Sequence, residues 1–305
     1  MKHNHTLRNV RQLSRPYRVT NGRKFHLADV DPGDTGELTS EDKPRAREAL
    51  QAGIELLSEM QDRLFAQNRW SVLIVIQAMD AAGKDSAIKH VMSGVNPQGC
   101  EVSSFKTPST EELNHDFLWR CSKRVPERGR IGIFNRSYYE EVLVVRVHPE
   151  LVEGERLPDA HAGAKLWKQR YKDIRGFERY LTDNGTLIRK IYLHVSRDEQ
   201  KRRFLERLGN PEKFWKFSAA DVRERRYWKE YMAAYEDAIR ATATPEAPWY
   251  VVPADNKWFT RIVISSAIID ALASIDVDYP KVTGAKIKEF AAAKRALLAE
   301  GKVRR

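Results

Sequence analysis

The stretch SVLIVIQAMDAAGKDSAIKHVMSGV, residues 71–95, decides the fold. Residues 72–76 form a continuous aliphatic run, which predicts a strand buried on both faces. Small residues follow in a turn that ends at Gly83 and Lys84, and apolar side chains then recur at helical spacing. A strand, a tight turn, a lysine and a helix N-terminus together form a phosphate cradle, because the N–H groups, the helix end and the lysine all supply positive charge.

This loop departs from the standard P-loop pattern G-x-x-x-x-G-K-[ST]. Ala78 stands at the first glycine position, and Asp85 follows the lysine where a magnesium-binding hydroxyl is expected. Ser86 comes one residue late. A plain strand-to-helix turn with its lysine in solvent would also explain the pattern. An acid inside the loop, Asp80, together with Gly-Lys at the helix start favours phosphate chemistry, because packing alone requires neither.

The composition indicates a basic chain with a sizeable core. The 305 residues carry a formal net charge of +11, and 42% are hydrophobic. A basic surface attracts polyanions such as nucleic acids, anionic membranes or acidic small molecules. Cys100 and Cys121 lack metal-binding spacing, the histidines show no metal or triad pattern, and no apolar segment approaches a membrane span. We therefore expect a soluble, cytoplasmic protein with incidental thiols.

The order of the predicted elements indicates an α/β fold. Apolar runs alternate with helical segments, which is typical of a parallel sheet with helices on both faces. We expect an N-terminal arm over residues 1–40 and a single domain over residues 41–305. The predicted strands are 72–76, 100–106, 131–134, 187–195 and 249–252, and the predicted helices are 40–67 with Ser40 as N-cap, 84–92, 111–123, 161–183, 197–217, 218–240 with a Ser218/Asp221 capping box, and two terminal helices before a Lys/Arg tail.

Charged residues follow the carboxyl ends of the predicted strands, where ligands of parallel sheets bind. Lys84, Lys106 and Arg136 therefore meet in one crevice. Phosphoryl transfer uses cations to neutralise oxygens and carboxylates to anchor magnesium. Lys84 suits a phosphate in the loop, Asp80 suits a magnesium ion or the acceptor phosphate, and the planar fork of Arg136 suits the transferring group. A salt bridge from Arg136 to Glu140 is the structural alternative.

A basic segment, residues 197–226, follows the fourth predicted strand. It holds ten Lys or Arg residues against six Asp or Glu residues. A line of cations along a groove binds a flexible polyanion, whereas an ordinary solvated amphipathic helix also produces such a run. Both interpretations stay open at the level of charge alone.

Six blocks of the sequence resemble the polyphosphate kinase type 2 family. They extend in the family's order from about residue 25 to residue 260, so the similarity covers most of the chain and is more specific than one P-loop. The blocks are QAMDAAGKD (77–85), HVMSGVNPQG (90–99), SFKTPS (104–109), HDFLWR (115–120), PERGRIGIFNRSYYEEVLVVRVHP (126–149) and LGNPEKFWKFSAADVRERRYW (208–228).

The resemblance implies a P-loop kinase-like, three-layer α/β fold with a central parallel sheet of about five strands, helices on both faces and a helical lid. The lid is residues 197–226 here, called the basic lid below. The implied activity is magnesium-dependent phosphoryl transfer between inorganic polyphosphate and AMP, ADP or ATP, with Mn²⁺ as a substitute ion, by a homo-oligomer. The pairing of AMDAAGKD with FNRSYYE resembles the class III branch, whose members accept both AMP and ADP.

The resemblance also implies the site. It gives Asp80 and Lys84 catalytic roles, to which Arg136 is added from its strand end. The family commonly has aspartate before Arg-Ser, but this chain has Asn135, so the metal site is predicted at Asp80, Asn135 and Glu140, with Glu140 or Glu141 replacing the missing carboxylate. The predicted phosphate and polyphosphate site is Ala81, Ala82, Gly83, Lys84, Asp85, Ser86, Lys106, Arg136, Arg203, Arg207, Lys213 and Lys216.

Two other functions compete with this hypothesis. A nucleic-acid-binding protein would use the same basic face to grip a phosphate backbone. The sequence lacks a recognised reader motif, however, and Asp80 would repel a passive polyanion partner. An ATP-hydrolysing P-loop protein is disfavoured because no hydroxyl follows Lys84. We therefore expect neither a nucleic acid nor a membrane as a partner.

Overall fold

A six-stranded sheet forms the centre of the computed structural model, which describes residues 12–158 and 165–300. The strands are β1 (Arg18–Val19), β2 (Ser71–Ala78), β3 (Cys100–Ser104), β4 (Ile131–Asn135), β5 (Thr186–His194) and β6 (Trp249–Pro253). Their order across the sheet is β1-β6-β5-β2-β4-β3. All neighbours are parallel except β1, which pairs antiparallel with β6. The predicted α/β class with a central, mostly parallel sheet is confirmed.

The sheet is built around β2. Every residue of Ser71–Ala78 is buried, as its aliphatic run predicts, and Ile74 lies opposite Ile133 of β4 and Arg189 of β5. The sixth strand comes from the predicted N-terminal arm. A two-residue edge strand is too short to show alternating hydrophobicity, so β1 was not predicted.

The α-helices that flank or extend this sheet are α1 (Lys43–Gln67), α2 (Lys84–Val91), α3 (Thr110–Leu113), α4 (Trp119–Ser122), α5 (Val144–Val147), α6 (Leu166–Asp183), α7 (Arg197–Leu208), α8 (Ala219–Glu224), α9 (Trp228–Thr242), α10 (Lys257–Leu272) and α11 (Gly284–Glu300). Shorter 3₁₀ segments join several of them. The start of the predicted helix 161–183 and the terminal tail lie partly outside the described residues.

Local side-chain hydrogen bonds explain where three predicted helices differ from the structure. Thr39, not Ser40, caps the first turn before α1, and Asp42 completes its capping box. The predicted helix 111–123 is broken into α3 and α4, because the Asp116 carboxylate accepts from the Leu118 N–H in a turn. Ser218 caps α8 through the Ala220 N–H, so the predicted Ser218/Asp221 capping box is wrong.

Helices cover both faces of the sheet. Successive residues of a strand point to opposite faces. On β5, Lys190 donates to Glu178 of α6, whereas Arg189 donates to Ser274, just beyond α10. Helix α10 also packs against α1 on its own face. In the described part of the chain, none of the helices combines the length and apolar character that crossing a membrane requires.

A charged network lies inside the layer between β5 and α6. The Lys190 ammonium is 2.6 Å from the Glu178 carboxylate, and both side chains are buried. Glu178 also accepts from the hydroxyls of Tyr138 and Tyr139, and the Tyr139 hydroxyl oxygen lies 2.9 Å from the Thr242 hydroxyl of α9. Hydrogen bonds to two helices therefore fix the segment that follows β4, and Arg136 lies in this segment.

Lys190→Met should destabilise the fold by about 3–5 kcal/mol, because it leaves the Glu178 carboxylate buried without its counter-charge. Adding Glu178→Gln should recover part of that loss, since the neutral amide oxygen still accepts from the tyrosine hydroxyls. Urea unfolding at pH 7 measures both changes. Arg45→Met, which removes an exposed partner of Asp42, is the matched control and should cost less than about 1 kcal/mol. A Lys190→Met variant as stable as that control would contradict the prediction.

Candidate active site

The phosphate loop joins β2 to α2 in a strained conformation. Ala81 has a φ of 60° and Gly83 has a φ of 108°, both in the left-handed region. Glycine adopts this conformation without cost, whereas alanine at such a φ costs about 1 kcal/mol and needs support from its surroundings. Lys84 then begins α2, so the N-terminus of this helix opens directly onto the loop.

Arg203 supplies that support from α7. Its Nη1 donates to the carbonyl oxygens of Ala81 at 3.1 Å and Ala82 at 2.7 Å, and its Nη2 donates to those of Ala254 and Asp255. Its Nε is 2.7 Å from a Glu199 carboxylate oxygen. The side chain is 3% exposed, and all five donors have protein partners. The prediction that Arg203 binds phosphate is therefore at odds with the geometry, which makes it a brace behind the loop.

Opposite charges meet at the ends of β2 and β4. Arg136 Nη2 is 3.1 Å from Asp80 Oδ1, and its Nη1 is 3.8 Å from Glu140 Oε2. Arg136 thus has both the alternative partner, Glu140, and a partner in the phosphate loop. With a φ of 65°, Arg136 is the third residue of this region in the left-handed conformation. Strained backbone conformations of this kind cluster at functional sites, where the surrounding structure holds a side chain in a required direction.

Lys84 lies beside this pair. Its Nζ donates to the Ala78 carbonyl oxygen at 3.3 Å. Burial lowers the pKa of Lys84, and the neighbouring Arg136 charge adds to that effect, while Asp80 opposes it. Burial also raises the pKa of Glu140. A phosphate dianion entering the loop would stabilise the protonated form of Lys84, because an anion close to an ammonium raises its pKa.

One cleft of about 1030 Å³ contains most of the predicted residues. Two predicted residues lie behind its surface: Ala82, which is 2% exposed, and Glu140, which lies beneath Arg136. The predicted residues that line it are Asp80, Ala81, Gly83, Lys84, Asp85, Ser86, Lys106, Asn135, Arg136, Arg203, Arg207, Lys213 and Lys216. The structure therefore brings together three strand ends and the basic lid, as the sequence predicts for ligands of a parallel sheet.

The predicted metal site needs a different set of carboxylates. Asn135 Nδ2 donates to Asp85 Oδ1 at 2.8 Å, so this residue orients an acid of the loop. Glu141 is buried 3.4 Å from Arg120 and 3.9 Å from Arg170, which commits it to those cations. Neither Glu140 nor Glu141 is among the residues that line the cleft, although the Glu140 carboxylate lies 3.8 Å from Arg136.

Asp221 of α8 is the carboxylate that sequence reasoning missed. It lines the cleft, and burial raises its pKa, with the Asp80 charge as the next cause. Two acids that repel each other across a phosphate cleft fit a divalent cation, since Mg²⁺ commonly uses one or two carboxylates together with substrate phosphates. Among the described residues no group of three or more His, Cys, Asp or Glu side chains has metal-binding geometry.

Three further residues of the cleft region were also missed. Lys257, at the start of α10, and Trp215, in the basic lid, line the cleft. Arg261 Nη2 donates to Ser86 Oγ at 3.2 Å, so the late hydroxyl of the loop is bound to α10. A single charged residue on an otherwise apolar helix does not stand out in the sequence as a ligand-binding residue. Trp215 stands in the lid block at residues 208–228, where the prediction rested on the charged residues.

The comparisons with known proteins agree with this geometry. The family model described as polyphosphate kinase 2 matches residues 38–280. The chain belongs to the polyphosphate kinase 2 family. The resemblance found in the sequence blocks is thereby confirmed.

Similar proteins match this polyphosphate kinase 2 chain almost end to end. It is 49% identical over 290 residues to an ADP-polyphosphate phosphotransferase of Rhodopseudomonas palustris, covering 93% of this chain and 98% of that protein. It is 44% identical over 265 residues to an AMP/ADP-polyphosphate phosphotransferase of Meiothermus ruber, covering 87% and 95%. The crystal structure of polyphosphate kinase 2 from Arthrobacter aurescens superposes with a TM-score of 0.84 at 41% identity, covering 94% and 96%.

Because the pKa of Lys84 is lowered, we expect activity to be lost at a less alkaline pH than an ordinary lysine would give. Only the protonated ammonium neutralises phosphate. The value of kcat/KM should therefore begin to fall at a pH below the usual lysine pKa of about 10.4. Lys84→Arg should move that fall to higher pH, because a guanidinium stays charged. The residual activity of the variant, followed at high enzyme concentration, gives the profile. Lys229→Arg, on exposed α9 surface, controls for the substitution itself. An unchanged alkaline limb in Lys84→Arg would contradict the assignment.

Proposed function

We propose that this polyphosphate kinase 2 family member transfers a phosphoryl group from inorganic polyphosphate to AMP or ADP. The observation that carries the proposal is the single cleft in which Asp80, Lys84 and Arg136 face the cations of the basic lid. The names of the two relatives from R. palustris and M. ruber support the same substrates.

Each part of the cleft has a separate task in this reaction. Lys84 and the N-terminus of α2 hold a phosphate in the loop. Arg136 presents a planar pair of donors toward the transferring group, and its contact with Asp80 keeps it at the loop. Arg207, Lys213 and Lys216 line the lid side, where a long polyanion is neutralised along its length. Positioning and charge neutralisation of this kind are most of what phosphoryl transfer requires.

The chemical balance of the step is simple. The terminal phosphoryl group of polyphosphate passes to a terminal phosphate oxygen of the nucleotide, and the polymer leaves one unit shorter with a new terminal phosphate. The bond broken and the bond formed are both phosphoanhydrides, whether AMP or ADP accepts. The reaction is therefore reversible, and concentrations set its direction.

A divalent cation, Mg²⁺ or Mn²⁺ in its place, belongs to this proposal. Asp80 and Asp221 would hold it, with substrate phosphates completing its ligands. The ion supplies neutralisation of the phosphate oxygens. Asn135 leaves this part of the cleft with one carboxylate fewer than the commoner family pattern, and its bond to Asp85 directs that acid instead.

Acceptance of both AMP and ADP is the finer part of the proposal. It rests on the class III character of the AMDAAGKD and FNRSYYE motifs, and the M. ruber relative carries both nucleotides in its name. Assembly as a homo-oligomer and a location in the cytoplasm stay predictions from the sequence.

A nucleic-acid-binding role is the second candidate, favoured only by the +11 charge. Asp80, Asp85 and Asp221 line the same cleft as the cations. Carboxylates there repel a polyanion that is merely held, whereas a kinase needs them for its metal ion. The cleft geometry therefore favours phosphoryl transfer.

The purified protein with Mg²⁺, long-chain polyphosphate and AMP or ADP should form ADP or ATP, respectively. GMP and GDP, assayed in parallel, measure base selectivity. Lys84→Ala should abolish turnover while the unfolding transition stays cooperative, because the loop loses its one buried ammonium. Absence of any nucleotide product with either adenine acceptor would refute the function, and near-normal turnover in Lys84→Ala would refute the role of that residue. Tight duplex DNA binding without turnover would favour the second candidate.

Removal of divalent ions with EDTA should stop the reaction, and Mg²⁺ or Mn²⁺ should restore it. Asp80→Asn and Asp221→Asn should each raise the Mg²⁺ concentration for half-maximal rate by about tenfold or more. Asp183→Asn, at the exposed end of α6, is the charge-matched control. A Mg²⁺ requirement of Asp221→Asn equal to that of the control would remove Asp221 from the metal site.

A further inference from the structure

Helix α7 holds the phosphate loop by three consecutive carbonyl groups. Gln200 Nε2 donates to the Asp80 carbonyl oxygen at 2.8 Å, and Arg203 holds the next two, those of Ala81 and Ala82. In a trans peptide the N–H points opposite to the carbonyl of the same unit. Capture of these carbonyls from behind therefore turns the N–H groups of Ala81 and Gly83 to the opposite side of the loop, whereas the Ala82 N–H donates to the Met79 carbonyl oxygen.

Gln200 belongs to the first helix of the basic lid, and its other end is bound by the later part of the lid, residues 211–226. Its Oε1 accepts from Arg225 Nη1 at 2.5 Å, and the same nitrogen of Arg225 donates to the Arg197 carbonyl oxygen. Arg225 follows α8 directly and starts the 3₁₀ segment Arg225–Tyr227. One buried amide thus joins the backbone of the loop to a side chain of the lid.

The amide is suited to transmit a displacement. Gln200 is 1% exposed, so a lid that moves away leaves its oxygen as a buried acceptor without a partner, a state that costs about 1–3 kcal/mol. The donor and acceptor belong to one rigid plane, so any rotation by which the amide oxygen finds a new partner after loss of Arg225 also moves the nitrogen that holds Asp80. The lid and the loop are in this way coupled through hydrogen bonds rather than through the substrate.

The same link positions both acids of the cleft. Asp221 precedes Arg225 by four residues, about one helical turn, so docking of Arg225 fixes the end of the short helix that carries Asp221. Gln200 fixes the backbone of Asp80 at the other side. A change in this link alters the separation of the two carboxylates that face each other across the cleft.

We propose that Gln200 is a positioning residue that couples docking of the later part of the basic lid, residues 211–226, through Arg225, to alignment of the phosphate loop at Asp80. Closure of the lid and preparation of the loop for transfer are then one event. This inference rests on the proposed function, because it concerns a transfer that takes place between loop and lid.

Hydrogen–deuterium exchange of the substrate-free protein tests the coupling without any need for turnover. Arg225→Met should raise exchange in peptides that cover residues 77–92, although Arg225 itself contacts none of them in the hydrogen bonds above. Gln200→Leu should raise exchange in the lid peptides over residues 211–228. Arg226→Met removes the same charge from the next residue and should leave exchange of the loop at the wild-type level. Unchanged loop exchange in Arg225→Met would overturn the proposal, whatever the activity of the protein.

Kinetics then separate positioning from simple structural support. Arg225→Met and Gln200→Leu should each lower kcat about tenfold, and the double variant should fall no further than the lower single variant, because both remove one link. Arg225→Lys can still donate to Gln200 and should recover part of kcat. Gln200→Glu keeps an acceptor for Arg225 but has no donor for Asp80, so it should lower kcat with the lid still protected from exchange.

Two kinetic results would overturn the proposal: multiplied losses in the double variant, or an Arg226→Met variant as slow as Arg225→Met. Urea unfolding of each variant identifies any loss that comes from global instability. If wild-type protein forms no nucleotide product at all, the proposed function fails, while the exchange measurements still decide the coupling.

Discussion

The guanidinium of Arg203 is the interaction on which the rest of the site depends. It binds carbonyl groups after β2 and after β6, so one planar group joins the ends of two strands. A loop with left-handed residues at Ala81 and Gly83 would relax without such support. Because Arg203 holds the Ala81 and Ala82 carbonyls, the loop and its Gly83 N–H donor are fixed in position before any ligand arrives. Preorganised donors of this kind need no rearrangement when charge shifts during transfer.

The layers of the fold serve this arrangement in different ways. The buried strand β2 gives the loop a rigid origin, and the Lys190–Glu178 network fixes the tyrosines that follow Arg136. A buried ion pair adds little net stability compared with apolar packing, yet it permits only one arrangement of its partners. The exposed lid contributes charge and closes the cleft, while the core contributes geometry.

The central part of the structure could be predicted from the sequence. The aliphatic run of β2 and the Gly83–Lys84 turn indicate a strand, a loop and a helix because each depends on local pattern. The cleft could be predicted as well, since strand ends of a parallel sheet converge. Arg203 shows the limit of this reasoning. In a run of ten cations, charge alone does not reveal which side chain faces inward. Asp221 was missed for a similar reason. A Ser-x-x-Asp pattern before a helix predicts a helix cap, so Asp221 was not predicted to line the cleft.

The difference in exposure between the inner and outer sides of the cleft has a consequence for ionic strength. Arg203 is 3% exposed and its contacts are shielded from dissolved ions, whereas Lys213 and its partner Glu206 are each about two-fifths exposed. Dissolved salt screens charges in solvent far more than buried ones. Added electrolyte therefore weakens the grip of the lid on a polyanion while the loop keeps its shape. Salt therefore leaves the loop side of the site unchanged and weakens polyanion binding on the lid side.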